Sequence, residues 1–85
     1  LHFYTLSNGG VFMAPDSQET YDLYCKSNGN HATLGGEAAG IAACLMMYSH
    51  MSFITANNEM AEHYYRLRDY AFSHPESQGI LTLID

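Results

Sequence analysis

Tryptophan is absent from this 85-residue sequence, and only Lys26, Arg66 and Arg68 are basic. So few cations argue against direct binding to a phosphate backbone, where Lys and Arg must displace condensed counterions. Nine carboxylates bring the formal net charge to −6, yet they stand singly at Asp16, Glu19, Asp22, Glu37, Glu59, Glu62, Asp69, Glu76 and Asp85. A DNA mimic needs dense acidic rows, because duplex DNA carries about one charge per 1.7 Å of axis. Cysteine is scarce too. Cys25 and Cys44 form no C-x-x-C pair, and with no N-x-[ST] acceptor present they read as inert thiols of a reducing, cytoplasmic protein. No long apolar run occurs: Ala38 to Tyr48, broken only by Gly40, is far short of the roughly 20 residues of a membrane helix. No basic stretch followed by an apolar one opens the chain, so no export signal is read there. Since residue 1 is Leu and not Met, the natural N-terminus is expected upstream.

What is present suffices for a core. Hydrophobic residues make up 47% and aromatics 13%, including seven Tyr, which excludes a disordered polar chain. The length allows one small domain spanning residues 1–85.

Local patterns predict strands first and helices after. His2–Leu6 and Val11–Ala14 are β-prone runs around Ser7-Asn8-Gly9-Gly10, and Asn-Gly between such runs signals a hairpin. Pro15 ends the second strand because it has no N–H for a ladder. Tyr21–Lys26 alternates Tyr21, Leu23 and Cys25 with polar neighbours, predicting a half-buried third strand before the turn Ser27-Asn28-Gly29-Asn30. From Gly36 to His50 the sequence is apolar on every side, which predicts a helix buried between layers, with Gly35 or Gly36 as its cap. Gly40 within it points to a close backbone contact. Met51–Ala56 reads as a connection. A second helix is expected from a cap at Asn57 or Asn58 to about Ser73, burying the stripe Met60, Tyr64, Leu67, Ala71 and pairing Glu62 with Arg66. Pro75 is placed to open a short third helix docking Ile80, Leu81 and Ile84. The expected architecture is α+β: an antiparallel meander of about three strands, with two to three helices packed on it.

Catalytic chemistry finds little support. The five His (2, 31, 50, 63 and 74) make no H-E-x-x-H or H-x-x-x-H pair, so metal ligation is less expected than ordinary polar packing. There is no G-x-S-x-G elbow, and Gly9-Gly10 and Gly35-Gly36 fit no phosphate-loop pattern. Glu59 and Glu62 look like a solvated helix face. Neither an enzyme nor a cofactor is expected. Tyrosine and arginine are favoured at protein interfaces, which makes Tyr24, Tyr65, Arg66 and Arg68 the candidate interaction surface, whereas Tyr64 belongs to the core stripe.

One stretch carries more than composition. His2 to Pro15, HFYTLSNGGVFMAP, closely resembles the FYxLSNGGFYMAP segment of the ArdB/KlcA antirestriction family. Further segments follow in order. Ser27 to Asn30 is similar to that family's GNG turn, and Glu37 to Ile41 to its DAAGI helix start. Tyr65 to Ala71, YRLRDYA, resembles YHALRDFA, and Ile80 to Asp85 resembles the ILxxID ending. Gly35 stands where relatives tend to carry a capping Ser.

The resemblance implies a factor of plasmids, prophages and other mobile elements that alleviates type I restriction of incoming unmodified DNA. It implies a non-enzymatic, indirect mode of action, distinct from acidic DNA mimics. The partner expected is a protein component of the restriction pathway, engaged directly or indirectly, with no direct DNA binding and no membrane; no oligomeric state is implied. It also implies an additional N-terminal segment, so that residues 1–85 form the C-terminal portion or a truncated member. The shared blocks carry over no catalytic residue. Two other classes are weighed against this one. A nucleic-acid-associated or general protein-interaction module would show a salt-dependent DNA shift or another partner, and a small metal-dependent hydrolase would carry bound metal.

Overall fold

The computed structural model describes residues 1–85 as an α+β arrangement in the order β1 (His2–Thr5), β2 (Val11–Ala14), β3 (Thr20–Tyr24), β4 (His31–Gly35), α1 (Gly36–Ile54), α2 (Glu59–Phe72) and α3 (Ser77–Ile84). The first hairpin closes as its turn residues dictate. Gly9 takes φ +89°, which a side chain would resist, and the Asn8 side chain accepts the Gly10 N–H at 2.8 Å. The second closes in the same way, with Gly29 at φ +74° and the Asn28 side chain accepting the Asn30 N–H at 2.9 Å.

The strands number four and form two separate two-stranded sheets, β1–β2 and β3–β4, instead of a three-stranded meander. Helix α1 explains the separation. The outward carbonyls of β2, which a third strand would need, are taken by α1: Tyr48 Oη–H donates to the Val11 carbonyl at 2.7 Å, and the Cys44 thiol approaches the Met13 carbonyl at 3.7 Å. Gly40 lets the backbones close in, since a Cβ there would stand 2.5 Å from both Ala14 Cβ and the Met13 carbonyl oxygen. The close contact expected of Gly40 is therefore with β2. Strand β3 pairs instead with His31–Gly35, Tyr21 opposite Leu34 and Leu23 opposite Ala32, so these four side chains share the inward face.

Around α1 the core assembles from Phe12, Leu34, Ile41, Leu45, Leu67, Ile80 and Leu83, all buried. Early in α1, Ala38 through Ala42 are all inside, as the sequence predicts, while Ala43 is exposed. The helix runs on through Met51–Ile54, where a connection was expected, and ends with the Thr55 N–H donating to the Met51 carbonyl at 3.0 Å. Extending a helix adds one hydrogen bond per residue fixed, and this outweighs the local β preference of Phe53 and Ile54. In α2 the stripe Met60, Tyr64, Leu67, Ala71 faces the core. Its first turn is held by Asn57, whose side chain accepts the Glu59 N–H at 3.0 Å, while Asn58 makes no side-chain cap. Pro75 lies in the turn before α3 and is not its first residue.

Each hairpin turn is tied to a helix distant in sequence. The Asn8 amide donates to the Arg66 carbonyl at 2.9 Å. The Asn28 amide donates to the Leu83 and Asp85 carbonyls at 3.0 and 2.7 Å, and that of Asn30 to the Thr82 carbonyl at 2.9 Å.

Candidate interaction surface

Helix α2 turns its apolar stripe inward and thereby sets which residues face out. Tyr65 and Phe72 are mostly exposed, and the Arg68 guanidinium lies over the Phe72 ring with its carbon 5.0 Å from the centroid. That is cation–π geometry, favoured because the ring face is electron-rich. Tyr65 stands edge-on to Tyr64 at 5.3 Å between centroids, which braces it on the half-buried ring behind. Together with Leu81, Ile84 and Asp85 these residues line a groove of about 390 Å³ between α2 and α3.

The four candidate residues do not form one patch. Tyr65 and Arg68 share the α2–α3 groove. Arg66 points the other way, its backbone carbonyl holding Asn8, its Cβ against Gly10, and its guanidinium 3.5 Å from Glu62. Tyr24 is exposed at the end of β3 and lines none of the grooves. Phe72 escaped the sequence reading, although its position four residues after Arg68 on a helix is the signal that brings the two together.

A second constellation joins the start of α1 to the α2–α3 turn. The Glu76 N–H donates to His74 Nδ1 at 3.0 Å, which takes the lone pair there and leaves Nε2 to carry the ring N–H. That N–H is directed at Glu37 Oε1, 3.0 Å away, and Tyr70 Oη–H reaches the same oxygen at 3.4 Å. Glu76 Oε1 in turn accepts the N–H of Gly35, the N-cap residue of α1, at 3.0 Å, the bond that the N3 side chain makes in a capping box. Burial raises the Tyr70 phenol above its ordinary value, and the Glu37 charge pushes the same way. The arrangement latches elements together, and its imidazole is only 7% exposed.

Elsewhere the chemistry is sparse. The Cys25 thiol lies 3.3 Å from Ser27 Oγ, and this hydrogen bond is the main cause lowering its pKa, but no basic side chain contacts it. Cys44 is buried. No three His, Cys, Asp or Glu side chains come together at metal-binding separation. No helix is long and apolar enough to cross a membrane. Of the nine carboxylates, those of Asp16, Glu19, Asp22, Glu37, Glu62 and Glu76 are held by His2, Ser17, Thr33, His74, Arg66 and the Gly35 N–H respectively.

Comparison with known proteins places this geometry. A family model described as "Antirestriction protein" matches residues 1–85. Two proteins of Escherichia coli K12, the uncharacterized YfjX and YafX, are 56% and 55% identical over 98% of this chain. The antirestriction protein KlcA of Escherichia coli is 36% identical over 99% of the chain. The chain spans about half the length of the curated relatives it matches: 56% of YfjX and YafX, and 62% of this KlcA. The resemblance carried by the hairpin, the helix start and the YRLRDYA block is thus one of descent, and the chain belongs to the antirestriction protein family.

Proposed function

We propose that this chain acts in the cytoplasm to alleviate type I restriction of incoming unmodified DNA, by protein contacts and without catalysis. The observation that carries the reading is the family match over residues 1–85, joined by the 36% identity to a protein named for antirestriction. Residues 1–85 are read as one antirestriction domain.

The electrostatics favour protein contact over DNA mimicry. Six carboxylates are engaged within the molecule, and Glu59, Asp69 and Asp85 are too few and too scattered to copy a phosphate rail. Direct DNA binding is disfavoured for the complementary reason, since Arg66 is already paired with Glu62 and only Lys26 and Arg68 are left.

The test is the plating efficiency of unmodified phage on cells with a type I restriction system, with and without this chain. A strain lacking the system is the control. Plating that rises only in the restricting strain supports the reading. Unchanged plating by the folded chain, and also by a version carrying the rest of a full-length relative, would overturn it.

A further inference from the structure

We infer that the groove between α2 and α3 is a docking site for a protein segment presenting one carboxylate beside an apolar or aromatic side chain. The inference rests on the antirestriction reading and names the contact through which that function would be exerted. Charge complementarity is the first argument. Arg68 has no carboxylate within 4.0 Å, whereas Arg66 is held by Glu62. Its guanidinium is already laid on the Phe72 ring, so little side-chain freedom remains to be lost when it binds a carboxylate through its planar fork.

The walls supply the second half of the recognition. Tyr65 and Phe72 are 61% and 52% exposed, rigid amphipathic rings of the kind that carry binding energy at interfaces. Leu81 and Ile84 give the groove an apolar floor. Asp85 also lines the groove and disfavours a second negative charge there. A strand of nucleic acid could place one phosphate on Arg68 and stack a base on Tyr65, but its neighbouring phosphates would meet a molecule of charge −6. A peptide with a single acid and an apolar neighbour brings one negative charge, met by Arg68, in place of several.

The test titrates the isotope-labelled 85-residue chain with a capped peptide carrying one Glu between Leu and Trp, followed by NMR. The expected result is shifts confined to Tyr65, Arg68, Phe72 and Leu81. Affinity should fall roughly tenfold with Gln in place of Glu or with Arg68→Ala, one charge-assisted pair being lost. Lys26→Ala, remote from the groove, should leave affinity unchanged. No shift at the groove, equal binding of the Gln peptide, or a stronger response to a short oligothymidylate overturns the assignment. In the plating assay, a folded Arg68→Glu variant that protects phage as well as the unaltered chain also overturns it. If neither the unaltered chain nor the version carrying the rest of a full-length relative gives protection while the peptide binds as described, the groove stands and the antirestriction reading fails.

Discussion

Gly40 is where a single hydrogen atom in place of a methyl group decides how two elements meet. On an open helix Gly40→Ala would stabilise by about 1 kcal/mol. Here the added Cβ would stand 2.5 Å from Ala14 Cβ and the Met13 carbonyl, so the helix must shift off β2. The net expectation is a loss of about 1–3 kcal/mol, read as a lower urea midpoint. Tyr48 acts at the same seam. Burial raises its phenol pKa from the ordinary 10.0, with Cys44 contributing, and its hydroxyl holds the Val11 carbonyl. A raised pKa means the folded state retains the proton longer than the unfolded one. The associated stability is complete below pH 10.0 and is lost as pH climbs through the folded value. Tyr48→Phe should therefore flatten the alkaline fall in melting temperature while costing about 1 kcal/mol at neutral pH. An unchanged alkaline slope would assign that fall to other groups.

Between elements, the most informative link is the turn His74-Pro75-Glu76 fastened to the start of α1. Glu76→Ala removes the acceptor of the part-buried Gly35 N–H and should destabilise by about 1–3 kcal/mol, the cost of leaving such a donor unpaired. Glu76→Gln, which keeps an amide oxygen, should recover part of this in thermal melts. The contrast between latch and hairpins also shows what was legible in the chain. Asn8-Gly9, the stripe Met60–Ala71 and the apolar run through Ala42 are local signals, each complete within a dozen residues, and their elements appeared where expected. Strand β4 was not legible because His31, Ala32 and Thr33 have no strong alternation and take their register from β3. The Glu76 carboxylate lies 41 residues from the Gly35 N–H it accepts, so no local pattern announces the bond. At the surface, residue type alone singled out Tyr65 and Arg68. The helix phase that adds Phe72 and turns Arg66 away emerged only with the fold.

Across the whole molecule, the first hairpin leaves one edge open. The Leu6 N–H bonded to the Gly10 carbonyl at 2.8 Å sets the phase of the ladder, so even-numbered β1 residues face β2 and the backbone groups of Phe3 and Thr5 face outward. Beyond His2, which pairs with Asp16 at the start of β1, that strand carries no charged residue and no Pro, and Phe3, Val11 and Met13 expose an apolar face beside it. Thr5→Pro, which blocks the edge without touching the internal ladder, and Phe3→Lys should each lower self-association in sedimentation at high concentration. Equal association of all three proteins would show that the edge is not the route.

The Asn tethers that fasten the hairpin turns to the helices also give the protein a chemical lifetime. Asn8 and Asn28 each precede a Gly, the neighbour that least hinders succinimide closure and loss of the side-chain nitrogen. Deamidation would replace an amide that donates to the Arg66 or Leu83 carbonyl with a negative acceptor aimed at the same oxygen. Ageing at these two positions would detach turn from helix in a covalently intact chain. Stored protein would then lose cooperativity of unfolding in step with the deamidated fraction seen by peptide mass mapping, and Asn8→Ser or Asn28→Ser would slow that drift at the cost of a weaker tether from the start.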